Sequence, residues 1–118
     1  MGWLLDLVQE TSNRLEIWNY IYLMDRFVEK CQIHAQNFDS ELLDKYDAFF
    51  DFHELPDNRY LMVFKRYRHR RHPKTIAWLE FSRFKNNLRV LNLSKDSILS
   101  HVLNSMFYEA GYHSGFKV

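Results

Sequence analysis

Apolar positions in the first third of the chain recur at helical intervals. Ile17, Ile21, Met24, Val28, Cys31 and Ala35 alternate steps of four and three, which predicts a helix of about six turns over residues 14–35. Leu15, Trp18, Tyr22 and Phe27 widen the stripe beyond a coiled-coil seam, so this helix is expected to pack on a core rather than stand as a free zipper. Trp3, Leu4, Leu7 and Val8 make a shorter amphipathic stretch upstream, and Thr11-Ser12-Asn13 either caps the long helix or is passed through by it. Asp39 or Ser40 is the expected N-cap of a second helix, with Leu42, Leu43, Tyr46, Phe49 and Phe50 inward and Asp44, Asp47 and Asp51 on its other side.

After the turn signal Pro56-Asp57-Asn58 the pattern changes. Residues 60–67, 75–84 and 88–93 are short and rich in β-branched, aromatic and aliphatic side chains, which predicts three strands of an antiparallel meander. Lys85-Asn86-Asn87 links the last two, with Asn expected to take the positive φ of a tight hairpin. Ser94 or Asp96 is expected to open a final helix. Its apolar face is Ile98, Leu99, Val102, Leu103, Met106, Phe107 and Ala110, with Gly111 as the residue that ends it. The expected fold is therefore α+β: N-terminal helices (one of them long), a three-stranded antiparallel β-meander, and a C-terminal amphipathic helix packed on the sheet. No repeat or linker divides the chain, so residues 1–118 form one domain.

Within the first hairpin, the base is apolar on both faces: Tyr60, Met62 and Phe64 on one, Leu61 and Val63 on the other. Towards the tip both faces turn cationic, a ribbon pattern that suits a projecting arm. The run from Lys65 to Lys74 holds six Lys/Arg and two His with no acid among them. Such density is self-repulsive unless solvent, an acidic surface or a polyanion compensates it. The division extends to the whole chain. Residues 1–58 carry four Lys/Arg against twelve Asp/Glu, and residues 59–118 carry twelve against three, so a net charge of +1 hides an acidic half and a basic half.

These features point to binding rather than catalysis. The expected partner is DNA or RNA. Arg66, Arg68, Arg70, Arg71 and Lys74 would contact phosphates, Tyr67, His69 and His72 would add stacking or hydrogen bonds, and Lys65 and Lys85 are lesser candidates. A protein of inhibitor, immunity or adaptor type that meets an oppositely charged protein surface is the alternative reading. The third is metal-independent RNA cleavage, with His69 and His72 as acid and base beside the cations. No nucleic-acid recognition motif is present to decide among them.

Other chemistry is disfavoured. The only glycines, Gly2, Gly111 and Gly115, fit no phosphate-cradling loop. Asp51-Phe52-His53-Glu54 lacks metal-binding spacing, and an acidic pair of Asp57 and Glu80 is followed by Ser82 rather than lysine, so neither metal nor cofactor is expected. Cys31 sits on the apolar seam as a core thiol, and His101 with Ser105 has no acid to complete a triad. A single cysteine, the lack of a signal-peptide pattern and the lack of a spanning apolar run lead to an expected cytoplasmic protein with no membrane partner. The Asn92 sequon is then idle. An aromatic share of 17% exceeds what a small core hides comfortably. Self-association through the long helix is therefore a further expectation, with Tyr108, Tyr112, His113 and Phe116 as the expected exposed set.

Overall fold

A computed structural model describes the backbone of residues 2–37, 44–45, 47–68, 71–95 and 97–118, and their side chains except at 2–13, 37, 68 and 71. Helix α1 spans Gly2–Asn37, strands β1 to β4 span Ala48–Leu55, Arg59–Arg68, Arg71–Phe84 and Asn87–Leu93, and helix α2 spans Ile98–Ser114. The strands form one antiparallel sheet in the order β1-β2-β3-β4. The α+β class and the final helix agree with the sequence reading, but the sheet has four strands rather than three.

The extra strand is the segment read as a second helix. Ala48–Leu55 pairs with β2 along its whole length, from Ala48 opposite Arg66 to Leu55 opposite Arg59. Its alternation has period two: Phe50 and Phe52 pack against the core, while on the other face Asp51 meets both Lys65 and His53. Aromatic residues in strict alternation favour a half-buried strand. Asp47, at φ 49°, turns the chain into it. The expected cap at Asp39 or Ser40 and the apolar positions Leu42, Leu43 and Tyr46 lie outside the described residues.

Both helices cover the same face of the sheet. Phe27 of α1 lies edge-on to Phe52 and Phe81 of the sheet, to Phe107 of α2 and to Phe116 beyond it. Around this ring cluster, Met62, Phe64, Ala77, Leu79, Leu103 and Met106 are also fully buried. The helices run antiparallel. His34 pairs with Glu109, while Leu23, a few turns earlier, meets Gly115 after the end of α2. Arg83 locks the other end of this contact. Buried at 3% exposure, it donates from Nη1 to the Tyr20 carbonyl at 2.7 Å and from Nε to the Lys85 carbonyl at 2.8 Å. Its guanidinium lies between the Tyr20 and Phe116 rings, 3.5 and 4.8 Å from their centroids.

Three local expectations shift by a few residues. The β1–β2 turn takes positive φ at Asp57 and Asn58 as its sequence demands, but in the β3–β4 turn the positive φ falls on Lys85 rather than on an Asn. The N-cap of α2 is Ser97, whose side chain accepts from the Ser100 N–H, while Ser94 instead accepts from the Trp78 N–H. The helix passes through Gly111 and ends at Gly115, whose φ of 98° suits glycine. Gly111 is small for another reason: a Cβ there would run into Val118.

The long helix departs furthest from expectation. Phe27, Cys31 and Ala35 are buried, but Leu15, Ile17, Trp18, Ile21 and Tyr22 are exposed. These five apolar residues do not reach the core. No helix among the described residues is long and apolar enough to cross a membrane.

Candidate functional site

The β2–β3 hairpin outruns its neighbours. β1 accompanies β2 only as far as Arg66, and β4 reaches β3 only as far as Leu79. Beyond Arg66 the ribbon is two strands wide; one register shift falls there, at Arg66/Arg68, and another just before it, at Phe64/Lys65, where β1 still pairs. Bulges of this kind sharpen the local twist and swing a ribbon away from its sheet. Pro73 is tolerated here because this stretch of β3 has no strand on its far side.

The register sets cation against cation. Arg66 is opposite Lys74, and Arg68 is opposite Arg71. Like charges directly across a strand pair destabilise it, so the register at these two rungs sets one cationic residue against another. Arg66, Tyr67, His72 and Lys74 are all exposed. The side chains of Arg68 and Arg71, and His69 and Arg70 altogether, lie outside the described residues. The proposed acid–base pairing of His69 with His72 is therefore outside them too.

Lys65 does not belong to the set. Its ammonium donates to Asp51 Oδ2 at 2.8 Å, and His53 Nε2 lies 3.2 Å from the same oxygen. Burial pushes the Asp51 carboxyl up. The Lys65 hydrogen bond, the Phe52 N–H and the nearby His53 and Lys65 charges outweigh it and hold the group below its ordinary value. Asp51 thus neutralises the cation at the root of the hairpin and leaves those nearer the tip free of it. Lys85 is also separate: it lies at the β3–β4 turn, at the other end of β3 from Lys74, over the Phe84 ring.

An aromatic element accompanies the cations. Tyr67, 59% exposed, stacks on Phe49 of β1 with ring centroids 4.5 Å apart and planes 30° apart. Placing Phe49, Phe50 and Asp51 on a helix concealed this pair; a period-two reading puts Phe49 on the same face as Asp51 and beside β2. On the opposite side, Arg66 borders a concavity of about 250 Å³ with Ile76, Ser97, Ile98 and Leu99, between the hairpin root and the start of α2.

The remaining candidates contribute nothing to this site. Asp51 and His53 share a face of β1, but no group of three potential metal-ligating side chains occurs among the described residues. Cys31 is fully buried, and burial pushes its thiol far up, so the nucleophilic thiolate is suppressed. Of the C-terminal aromatics, Tyr108 and Tyr112 are exposed as expected, whereas Phe116 is buried in the core. No protein-family model matches the chain, and neither a curated protein nor a solved structure is significantly similar to it.

Proposed function

We propose that this chain is a nucleic-acid-binding module whose projecting β2–β3 hairpin engages phosphates. The observation that carries the reading is the register, with Arg66 opposite Lys74 and Arg68 opposite Arg71. A fold that pairs like charges on successive rungs, with Asp51 spent on Lys65 at the root, retains a repulsion that a bound polyanion relieves. Arg66 and Lys74 contact phosphates from one face of the ribbon. Tyr67, pre-stacked on Phe49, offers an aromatic surface to an unpaired base, which favours single-stranded or looped targets over regular duplex.

The test is fluorescence anisotropy with labelled single-stranded and duplex DNA and RNA at about 50 and 200 mM salt. Four phosphate contacts on a single strand, at a slope of about −0.7 each, lower affinity roughly 50-fold between those conditions. Arg66→Ala and Lys74→Ala each reduce that slope by nearly one contact, and Tyr67→Ala weakens single-strand binding more than duplex binding. Absence of binding at the lower salt, or binding indifferent to salt, overturns the reading.

A further inference from the structure

The apolar stripe of α1 changes sides partway along the helix. Met24, Phe27 and Cys31 face the sheet and α2. Leu15, Trp18 and Tyr22 precede them by nine residues each, and nine residues make two and a half turns of an α-helix. These three therefore point directly away from the body, at 65%, 71% and 57% exposure. Further along, the same outward side becomes Asp25, Glu29, Gln32 and Gln36, all exposed and polar. Upstream, the sequence continues the spacing of Leu15, Trp18 and Tyr22 at Leu4, Val8 and Thr11. Leu15, Trp18 and Tyr22 thus form an apolar stripe on the side of α1 opposite to the one that Met24, Phe27 and Cys31 bury.

We infer that this face binds the same face of a second copy, forming an antiparallel helix pair. The steps of positions 4, 8, 11, 15, 18 and 22 alternate four and three, the spacing that buries a seam against another helix. The chain's other described helix, α2, lies on the far side of α1. A lipid surface is a poor match, because residues 2–22 carry Asp6, Glu10 and Glu16 against Arg14 alone, and surface-bound helices are rich in Lys and Arg.

Self-pairing also fits by size. About a two-fold axis, Trp18 meets Val8, Leu15 meets Thr11 and Tyr22 meets Leu4, a larger residue against a smaller one at each layer. A parallel pair would set Trp18 against Trp18. Leu15, Trp18 and Tyr22 together expose roughly 400 Å² per copy, at about 150–250 Å² for each fully exposed large side chain. That is about half of the roughly 800 Å² per partner of a stable complex, and the continuation of the stripe in sequence at Leu4, Val8 and Thr11 would supply the remainder. The pairing half of α1 leaves the body near the β1–β2 turn, where Tyr20 bonds Asn58, so the cationic hairpins project from the two outer ends of the pair.

Sedimentation equilibrium on the full chain tests this. At roughly 100 µM the expected mass is twice the 14.5 kDa of one copy. Leu15→Glu with Trp18→Glu returns it to one copy with the far-ultraviolet circular dichroism of the folded chain retained. Gln36→Glu, on the polar part of the same side, leaves the dimer intact. Should the double variant lose helicity, Tyr22→Lys is read in the same way. A single-copy mass for the unsubstituted chain, or a dimer indifferent to these substitutions, overturns the inference. Because none of these residues lies in the hairpin, this result is independent of nucleic-acid binding.

Discussion

Truncating Phe27 to alanine removes the α1 side chain that joins this helix to both the sheet and α2. Phe27 is fully buried and meets Phe52, Phe81, Phe107 and Phe116 at centroid distances of 6.4, 5.3, 6.1 and 6.1 Å, all edge-to-face. A buried Phe→Ala change costs about 3–5 kcal/mol through lost transfer free energy and an unfilled cavity. Edge-to-face contacts contribute about 0.5–1.5 kcal/mol per pair beyond area, and four of them place this site at the upper end, about 4–5 kcal/mol. The surroundings cannot collapse easily, because the cavity is bounded by a strand ladder on one side and by α2 on the other. Phe27→Leu restores most of the volume without the ring edges, so it costs about 1–2 kcal/mol. Urea unfolding followed by circular dichroism reads both, and with a slope of about 2 kcal/mol/M the alanine variant's midpoint falls by about 2 M. A loss below about 1.5 kcal/mol for Phe27→Ala would refute the argument, since α1 would then not be anchored to the sheet through this ring cluster.

Two further predictions concern single polar groups. Asp51 is held below its ordinary value in the folded chain, so the unfolded state binds more protons as the group titrates. Its contribution is complete above the ordinary carboxylate value of about 3.9 and disappears as pH falls through the lower folded value. Asp51→Asn should flatten the acid limb of a plot of urea midpoint against pH only modestly, since the side chain is 38% exposed; an unchanged limb would show that the Lys65 contact contributes nothing. Arg83→Ala removes two donated hydrogen bonds to main-chain carbonyls and a guanidinium held between two rings, a loss of about 3 kcal/mol. Faster amide exchange should spread through α1 around Tyr20. Arg83→Lys should not rescue it, because an ammonium cannot reproduce the planar fork; full rescue would refute that role.

Periodicity was sufficient for the second half of α1, for strands β2 to β4 and for α2, because in each the apolar residues repeat at a single period and face a single neighbour. It failed at β1. Phe49 and Phe50 fit a helical stripe and a strand equally well, and the choice rests on pairing with β2, a contact between residues distant in sequence. It failed again in α1 around Trp18, where residue type alone does not reveal that Leu15, Trp18 and Tyr22 point away from the body. The cationic run was legible as composition. That Lys65 is neutralised by Asp51, that Lys85 lies at the far end of β3, and that Arg66 opposes Lys74 were not. The amino-acid order alone thus determined the α+β class, most of the elements and the charge of the hairpin, since these depend on propensity and local period. Tertiary structure decided the fourth strand, the pairing of Lys65 with Asp51 and which side of the long helix around Trp18 stays open, since each depends on what long-range packing brings alongside.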